Sequence, residues 1–441
     1  MKDRSFVLAI FFAVAQQTLL AFSTYFIAKA GTTLADGNLT LILRYISLFF
    51  GFALAAYIVS SISSIYVTKA ANAIWLKYTK SVLREASSDM RYASDKNKKS
   101  LAQWISGEAS STITHACGFY VGLISTCLNV IMTLAVFYFT TGLEITIAIS
   151  ISLLISAALV SILKNRIKHT AGNMQRKRLD ALLSIELTWD SATLGSRKMK
   201  ADSFESLEKK AHSYFGEVNR YVLLEQFIAC LPITLATIIV AATIQTPNII
   251  TAANVGALVA MLPRSLQVFG NIHSLSIYFS QLLLVRTKMR NLYRFVSELE
   301  KHEKLSSMNL SNIKIEECSS SQSITPSELL DQLKNGSTTV GRYLLSGNNG
   351  SGKSSYLKRI KAAVHDALLM TPEAQFVKLE NNLSTGERRL LQIEKILSAP
   401  PPIVMLDEWD ANLDLDNISR FNAILDSAAK NIVVIEARHR R

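Results

Sequence analysis

The chemistry-bearing residues cluster near the C-terminal end of the chain. The stretch GNNGSGKSS, Gly347 to Ser355, places three glycines, a lysine and a serine at the spacing of a phosphate-gripping loop. Gly347, Gly350 and Gly352 leave room for backbone N–H groups to approach phosphate oxygens. Lys353 would reach the terminal phosphates of a nucleotide, and the Ser354 hydroxyl would ligate Mg²⁺. Further on, IVMLDE (Ile403 to Glu408) is an apolar run ending in two acids. Asp407 would hold Mg²⁺ through water, and Glu408 would accept a proton from an attacking water molecule.

These groups need rigid supports. YLLS (Tyr343 to Ser346) supplies a strand into the glycine loop, and the residues after Lys353 supply a helix. Leu383, Ser384, Thr385, Gly386 and Glu387 open another helix. Ser384 can cap it, with Glu387 three residues on as in a capping box. A strand, a phosphate loop and a helix, with a second strand ending in acids, predict an α/β P-loop nucleotide hydrolase.

What precedes that machinery is largely apolar. The chain of 441 residues is 49% hydrophobic and only 18% charged, against about 25% for soluble chains. Six apolar runs stand out: from Phe6, from Leu41, and roughly 118–140, 143–163, 224–244 and 255–284. Each is long enough to cross a hydrocarbon core, which takes about 20 helical residues. The first run is long and lacks a small-residue cleavage site, so it reads as a membrane helix rather than a cleavable leader.

Orientation follows from charge. The net charge is +13, and the basic residues crowd three places: Lys2 and Arg4, the segment after run two (Lys77 to Lys99), and the segment after run four (Lys164 to Lys200). The intervening connections hold almost none, so both termini are expected in the cytoplasm. The two basic segments predict helical extensions of the membrane helices, turning at Ser87 to Lys96 and Thr188 to Lys198. No basic patch interleaved with aromatics lies outside the membrane flanks, which argues against nucleic acid as a partner. Cys117, Cys127, Cys230 and Cys318 show no disulfide or metal spacing, and the first three read as buried small hydrophobes. A Ser-rich stretch marks a boundary near residue 305, dividing a membrane domain, 1–305, from a cytosolic domain, 306–441.

The organisation resembles an ATP-binding cassette (ABC) exporter half-transporter: a membrane all-α six-helix bundle followed by an α/β P-loop domain reduced in size. LSTGE (Leu383 to Glu387) is similar to the family signature, and IVMLDEWDANLD to its second acidic strand and following loop. NIVVIEARHR resembles the last core strand and switch histidine, and Thr193 to Phe215 the stretch after the second coupling helix. The resemblance implies ATP and Mg²⁺ as ligands. ATP contacts would come from Gly347, Asn348, Gly350, Ser351, Gly352, Lys353, Ser354 and Ser355, with Ser384, Gly386 and Asp414. Glu408 and His439 would be catalytic, and Ser354, Asp407 and Glu373 would face the metal. The γ-phosphate sensor falls on Glu373 or Gln375. His439, flanked by arginines, is alternatively part of a basic tail.

Two such cassettes meet head to tail in that family, so one chain would hold half of each site and work as a dimer, most simply a homodimer. The implied activity is an ATPase driving export of a bulky amphipathic substrate, peptide or lipid-like, across the cytoplasmic membrane. Departures from the pattern are concentrated between Lys353 and Leu383, an interval much shorter than the family's. That trimming keeps open an ATP-binding regulator with little turnover, or a subunit needing a partner cassette. Inside the membrane runs, Gln16, Gln17, Arg44, Arg264 beside Pro263, and His273 suggest either a cavity with a somewhat cationic wall or interhelical hydrogen bonds.

Overall fold

The computed structural model describes residues 3–34, 37–141, 143–244, 252–301, 310–320, 322–348, 350–372, 374–376, 385–410 and 413–438. The chain forms two compact units: Met1–Thr79 with Ile105–Arg294, and Lys80–Trp104 with Phe295–Arg441.

The first unit is helical. Its elements are α1 (Arg4–Thr33), most of α2 (Leu39–Ser87), α4 (Ser110–Thr141), α5 (Leu143–Thr193), α6 (Arg197–Ile244) and nearly all of α7 (Ala252–Glu298); α3 (Asp95–Gln103) belongs to the second unit. Asp3 caps α1 by accepting the Ser5 N–H at 2.9 Å. Among the described residues, three helical stretches are long and apolar enough to cross a membrane: Arg4–Thr33, Leu39–Ser87 and Asp95–Thr140. Only 6% of the most apolar window of Leu39–Ser87 is buried, and Leu43, Phe50, Leu54 and Ile58 face outward, as a lipid-facing helix requires. Contacts between α1 and α2 combine aromatic pairs, such as Phe12 on Tyr66 and Phe26 on Phe52, with small polar groups. Ser63 Oγ donates to the Ala9 carbonyl at 2.9 Å, and Ser23 Oγ to the Phe49 carbonyl at 3.0 Å. Such contacts matter where lipid removes the hydrophobic drive for helix pairing.

The expected long helices form beyond the apolar runs. α5 and α6 pack along one another and are joined by a short turn at 194–196. Cys117 is buried and Cys127 half-buried, but Cys230 is exposed, correcting the expectation that all three are buried. An apolar run on a membrane helix has two apolar surroundings, protein and lipid, and composition does not distinguish them.

The second unit is a layered α/β domain with a helical tip. Its six-stranded sheet has the order β2-β1-β3-β6-β5-β4, with β1 (Lys314–Glu317), β2 (Ser323–Ile324), β3 (Gly341–Ser346), β4 (Ala367–Met370), β5 (Ile403–Asp407) and β6 (Val433–Ala437). β1 is antiparallel to β2 and β3, while β3, β6, β5 and β4 are mutually parallel. β5 and β6 are buried throughout, as continuous apolar strands covered on both faces must be. One face carries α8 (Pro326–Asn335) and α9 (Lys353–Ala363) through Leu329, Tyr356 and Leu357; the other carries α10 (Thr385–Leu397) and α11 (Leu415–Ala428) through Ile393, Phe421 and Leu425. Each such side chain contributes about 1.5–3 kcal/mol by leaving water. α8 begins with a reciprocal capping box between Thr325 and Glu328.

Candidate nucleotide site

Parallel strands end at the same edge of a sheet, so β3 and β5 deliver their following residues side by side with β6 between them. Such an edge is where ligands bind in open α/β sheets. After β3 the backbone turns through Gly347 (φ +155°), Gly350 (φ +81°) and Gly352 (φ +95°) before α9 begins at Lys353. A Cβ at Gly347 would lie 2.7 Å from both the Asn312 carbonyl and Ser351 Oγ, whereas one at Gly350 would meet nothing within 4 Å. The loop is thus tight on the protein side at Gly347 and open at Gly350. Lys353 Nζ closes the loop on itself, donating to the carbonyls of Gly347 at 2.8 Å and Asn348 at 3.4 Å. The free N–H groups at the start of α9 carry the positive end of its dipole.

Ser354, on the first turn of α9, donates its hydroxyl to Asp407 Oδ1 at 3.0 Å. Asp407 ends β5 and is buried. A hydroxyl and a carboxylate in contact at a helix N-terminus form the hard-oxygen donor pair that suits Mg²⁺. The open cradle at Gly350, the Lys353 ammonium and this pair fit a magnesium nucleotide. Glu408 follows directly. Its N–H donates to the Ala437 carbonyl at 2.8 Å, and its φ of +45° is left-handed, unusual for a residue with a Cβ.

The remaining expected residues divide into two groups. Gly386 lies in the first turn of α10, where a Cβ would sit 3.0 Å from Leu413. Asp414 caps α11, accepting the Asn417 N–H at 2.8 Å. Gln375 is exposed. Ser384, Glu373 and His439 lie outside the described residues.

Beneath the acids lies a charged cluster that the sequence reading missed. Glu436, fully buried in β6, accepts from Arg342 Nε at 2.9 Å and Nη2 at 3.0 Å, from Trp409 Nε1 at 2.8 Å, and from Arg438 at 2.9 Å. Arg342 also pairs with Asp426 at 2.7 Å. Burial works against the Arg342 charge, but Glu436 and Asp426 outweigh it and hold its pKa above the ordinary guanidinium value. Trp409 is fully buried, with the Arg438 guanidinium 5.4 Å from its ring centre. The cluster anchors the chain immediately after Glu408. The available sequence signal was the Glu inside VVIEA: a charge in a doubly covered strand needs a partner, and Arg342 in β3 is the candidate.

The helical tip also meets this domain. The chain after α2 turns through a 3₁₀ segment, Met90–Tyr92, capped by Asp89, whose carboxylate accepts the Arg91 N–H at 2.9 Å. The Arg91 guanidinium grips the same carboxylate and holds its pKa below the ordinary value. Asn97 Nδ2 donates to the carbonyls of Tyr92 and Glu300, both at 2.9 Å, and Trp104 stacks on Phe295 at 4.5 Å. A cavity of about 580 Å³ is lined by Met90, Ala93 and Asp95 of the tip and by Lys358, Leu368 and Phe376 of the sheet domain.

No family model matches the chain. A 60-residue segment is 40% identical to the multidrug resistance-like ATP-binding protein MdlB of Buchnera aphidicola subsp. Acyrthosiphon pisum (strain APS), spanning 14% of this chain and 10% of that protein. The structure of a bacterial Atm1-family ABC exporter with ATP bound superimposes with a TM-score of 0.65, covering 99% of this chain and 92% of that one at 12% identity. The helical unit, the order of elements and this near-complete coverage together give the chain the fold of an ABC exporter with a reduced cassette.

Proposed function

We propose that this chain is an ATP-driven exporter of a bulky amphipathic substrate, peptide or lipid-like, working as a dimer in the cytoplasmic membrane with both termini in the cytoplasm. Residues 1–305 serve as the membrane domain and 306–441 as the cassette. The observation that carries the reading is the Ser354–Asp407 contact of 3.0 Å beside the Lys353 loop, in a chain with the exporter fold.

In this reading the Gly347–Gly352 backbone and the α9 N-terminus grip the phosphates of ATP. Lys353 exchanges the Gly347 carbonyl for the terminal phosphates. Ser354 and Asp407 hold Mg²⁺, which when bound neutralises charge on the phosphate oxygens. Glu408 takes the proton of the attacking water. Ser384 and Gly386 of a second subunit close over the nucleotide, adding the N-terminus of their helix to the phosphate's surroundings. Closure is favoured because ATP binds the paired cassettes better than the separated ones.

The short interval between α9 and α10 supports a second reading, an ATP-binding regulator with little turnover or a subunit that needs a fuller partner cassette. ATPase activity of the purified chain in vesicles separates them. Activity stimulated by a cargo and abolished in Glu408→Gln supports the exporter. Tight ATP binding without phosphate release supports the regulator, and activity only on co-expression with a second cassette supports the subunit.

A further inference from the structure

The helical unit holds a cavity of about 640 Å³ lined by α1, α2, α4 and α7. Gln16, Gln17, Asn129, Gln267 and Asn271 present carboxamides along it. Three of them form a directional chain. Asn271 Nδ2 donates to Asn129 Oδ1 at 2.5 Å, Asn129 Nδ2 to Gln17 Oε1 at 2.6 Å, and Gln17 Nε2 to Ser125 Oγ at 2.7 Å. Gln17 and Asn129 are buried. Among the described lining residues there is no Asp, Glu, Lys, Arg or His. Of the residues expected to give a cationic wall, Arg44 lies on the exposed surface of α2 and His273 faces the Ala229 carbonyl at 3.0 Å, while the Arg264 side chain lies outside the described residues.

A carboxamide carries two N–H donors and an oxygen with two lone pairs. Each link of the chain uses one of each, so capacity remains on the cavity side. These amides border a cavity whose volume lies within the range of pockets for drug-sized ligands, about 300–1,000 Å³. Among the described lining residues an ion finds no counter-charge, and a hydrocarbon leaves the amides without partners. A ligand with its own N–H and C=O groups satisfies them.

We infer that this cavity is a binding site for an uncharged, amide-bearing compound, of the class of a short peptide with blocked or cyclised ends. The inference rests on the exporter reading for its biological sense, and it narrows the cargo to the peptide side of that reading.

The test is equilibrium binding of a radiolabelled, N-acetylated and C-amidated tripeptide of alanine and leucine to the full chain in lipid nanodiscs, without nucleotide. Saturable binding is expected, weakened about tenfold by Asn129→Leu or Gln17→Leu. A tripeptide with free, charged ends and an alkane of equal volume should compete poorly. Should the buried variants lose their thermal transition, Gln16→Leu, outside the hydrogen-bonded chain, carries the test with an expected severalfold loss. No binding, binding indifferent to all three substitutions, or equal competition by the charged peptide or the alkane overturns the inference. Because no ATP is present, a chain that binds the peptide yet fails to pump it counts against the exporter reading alone. One that hydrolyses ATP but ignores the peptide counts against this inference alone.

Discussion

Lys358 Nζ, one turn beyond the phosphate loop on α9, donates to the backbone carbonyl of Ala93 at 3.0 Å. Ala93 closes the 3₁₀ tip that continues α2. Helix α9 and the segment that follows α2 therefore share a hydrogen bond. Lys358→Met should leave basal ATPase within about twofold and weaken tip docking by roughly two- to fivefold, from about 0.5–1 kcal/mol for an exposed charged contact. Cargo stimulation of ATPase in vesicles, compared with basal turnover, checks this. Equal loss of both would point to a folding defect instead.

The same tip has a pH dependence with a defined sign. Arg91 lowers the Asp89 pKa, first through its side-chain hydrogen bond and then through its backbone N–H. A depressed carboxylate stabilises the fold above its ordinary value of 3.8 and ceases to do so as pH falls through the lowered value. Protection of the Arg91 and Tyr92 amides against hydrogen exchange, relative to the intrinsic rate at each pH, should hold from neutral pH to about pH 4 and fall below it. Asp89→Asn should flatten that profile.

Ser354 and Asp407 act as a pair, so their loss should appear only with the metal. Ser354→Ala is expected to lower ATP affinity roughly tenfold with Mg²⁺ present and to change it little in EDTA. Calorimetric titration under both conditions decides the matter. An equal loss in EDTA would mean that Ser354 holds phosphate or the fold rather than the metal.

Glu408 carries strain at φ +45°. Glycine relieves it, so Glu408→Gly should be more stable than Glu408→Ala by about 1 kcal/mol, while both lose turnover. Urea denaturation followed by Trp409 fluorescence gives the comparison. Equal stabilities would place the strain elsewhere.

Trp409 and Glu436 should matter through Glu408 rather than through ATP binding. Trp409→Phe keeps the ring but removes the donor to buried Glu436, costing about 1–3 kcal/mol of stability. Glu436→Gln leaves Arg342 and Arg438 facing a neutral group and costs about 3–5 kcal/mol. Where Trp409→Phe remains folded, kcat should fall while KM for ATP is unchanged. A rise in KM alone would refute the positioning role.

Local spacing determined much of this protein. Twenty-residue apolar runs read as membrane helices, and the spacing from Tyr343 to Ser354 read as a strand, a glycine turn and a helix, which β3 and α9 form. The Ser, Asp and Gly clusters at 87–96 and 188–198 marked the tips where the chain does turn. These features are legible because helix period, turn chemistry and phosphate loops depend on neighbours a few residues apart. Tertiary structure decided the rest. Ser354 meets Asp407 across 53 positions because β6 inserts between β3 and β5. Arg342 meets Glu436 across 94, and Gln17 meets Asn129 across 112. Partners that far apart are chosen by which strands and helices pack side by side, and that choice is made by burial summed over whole surfaces.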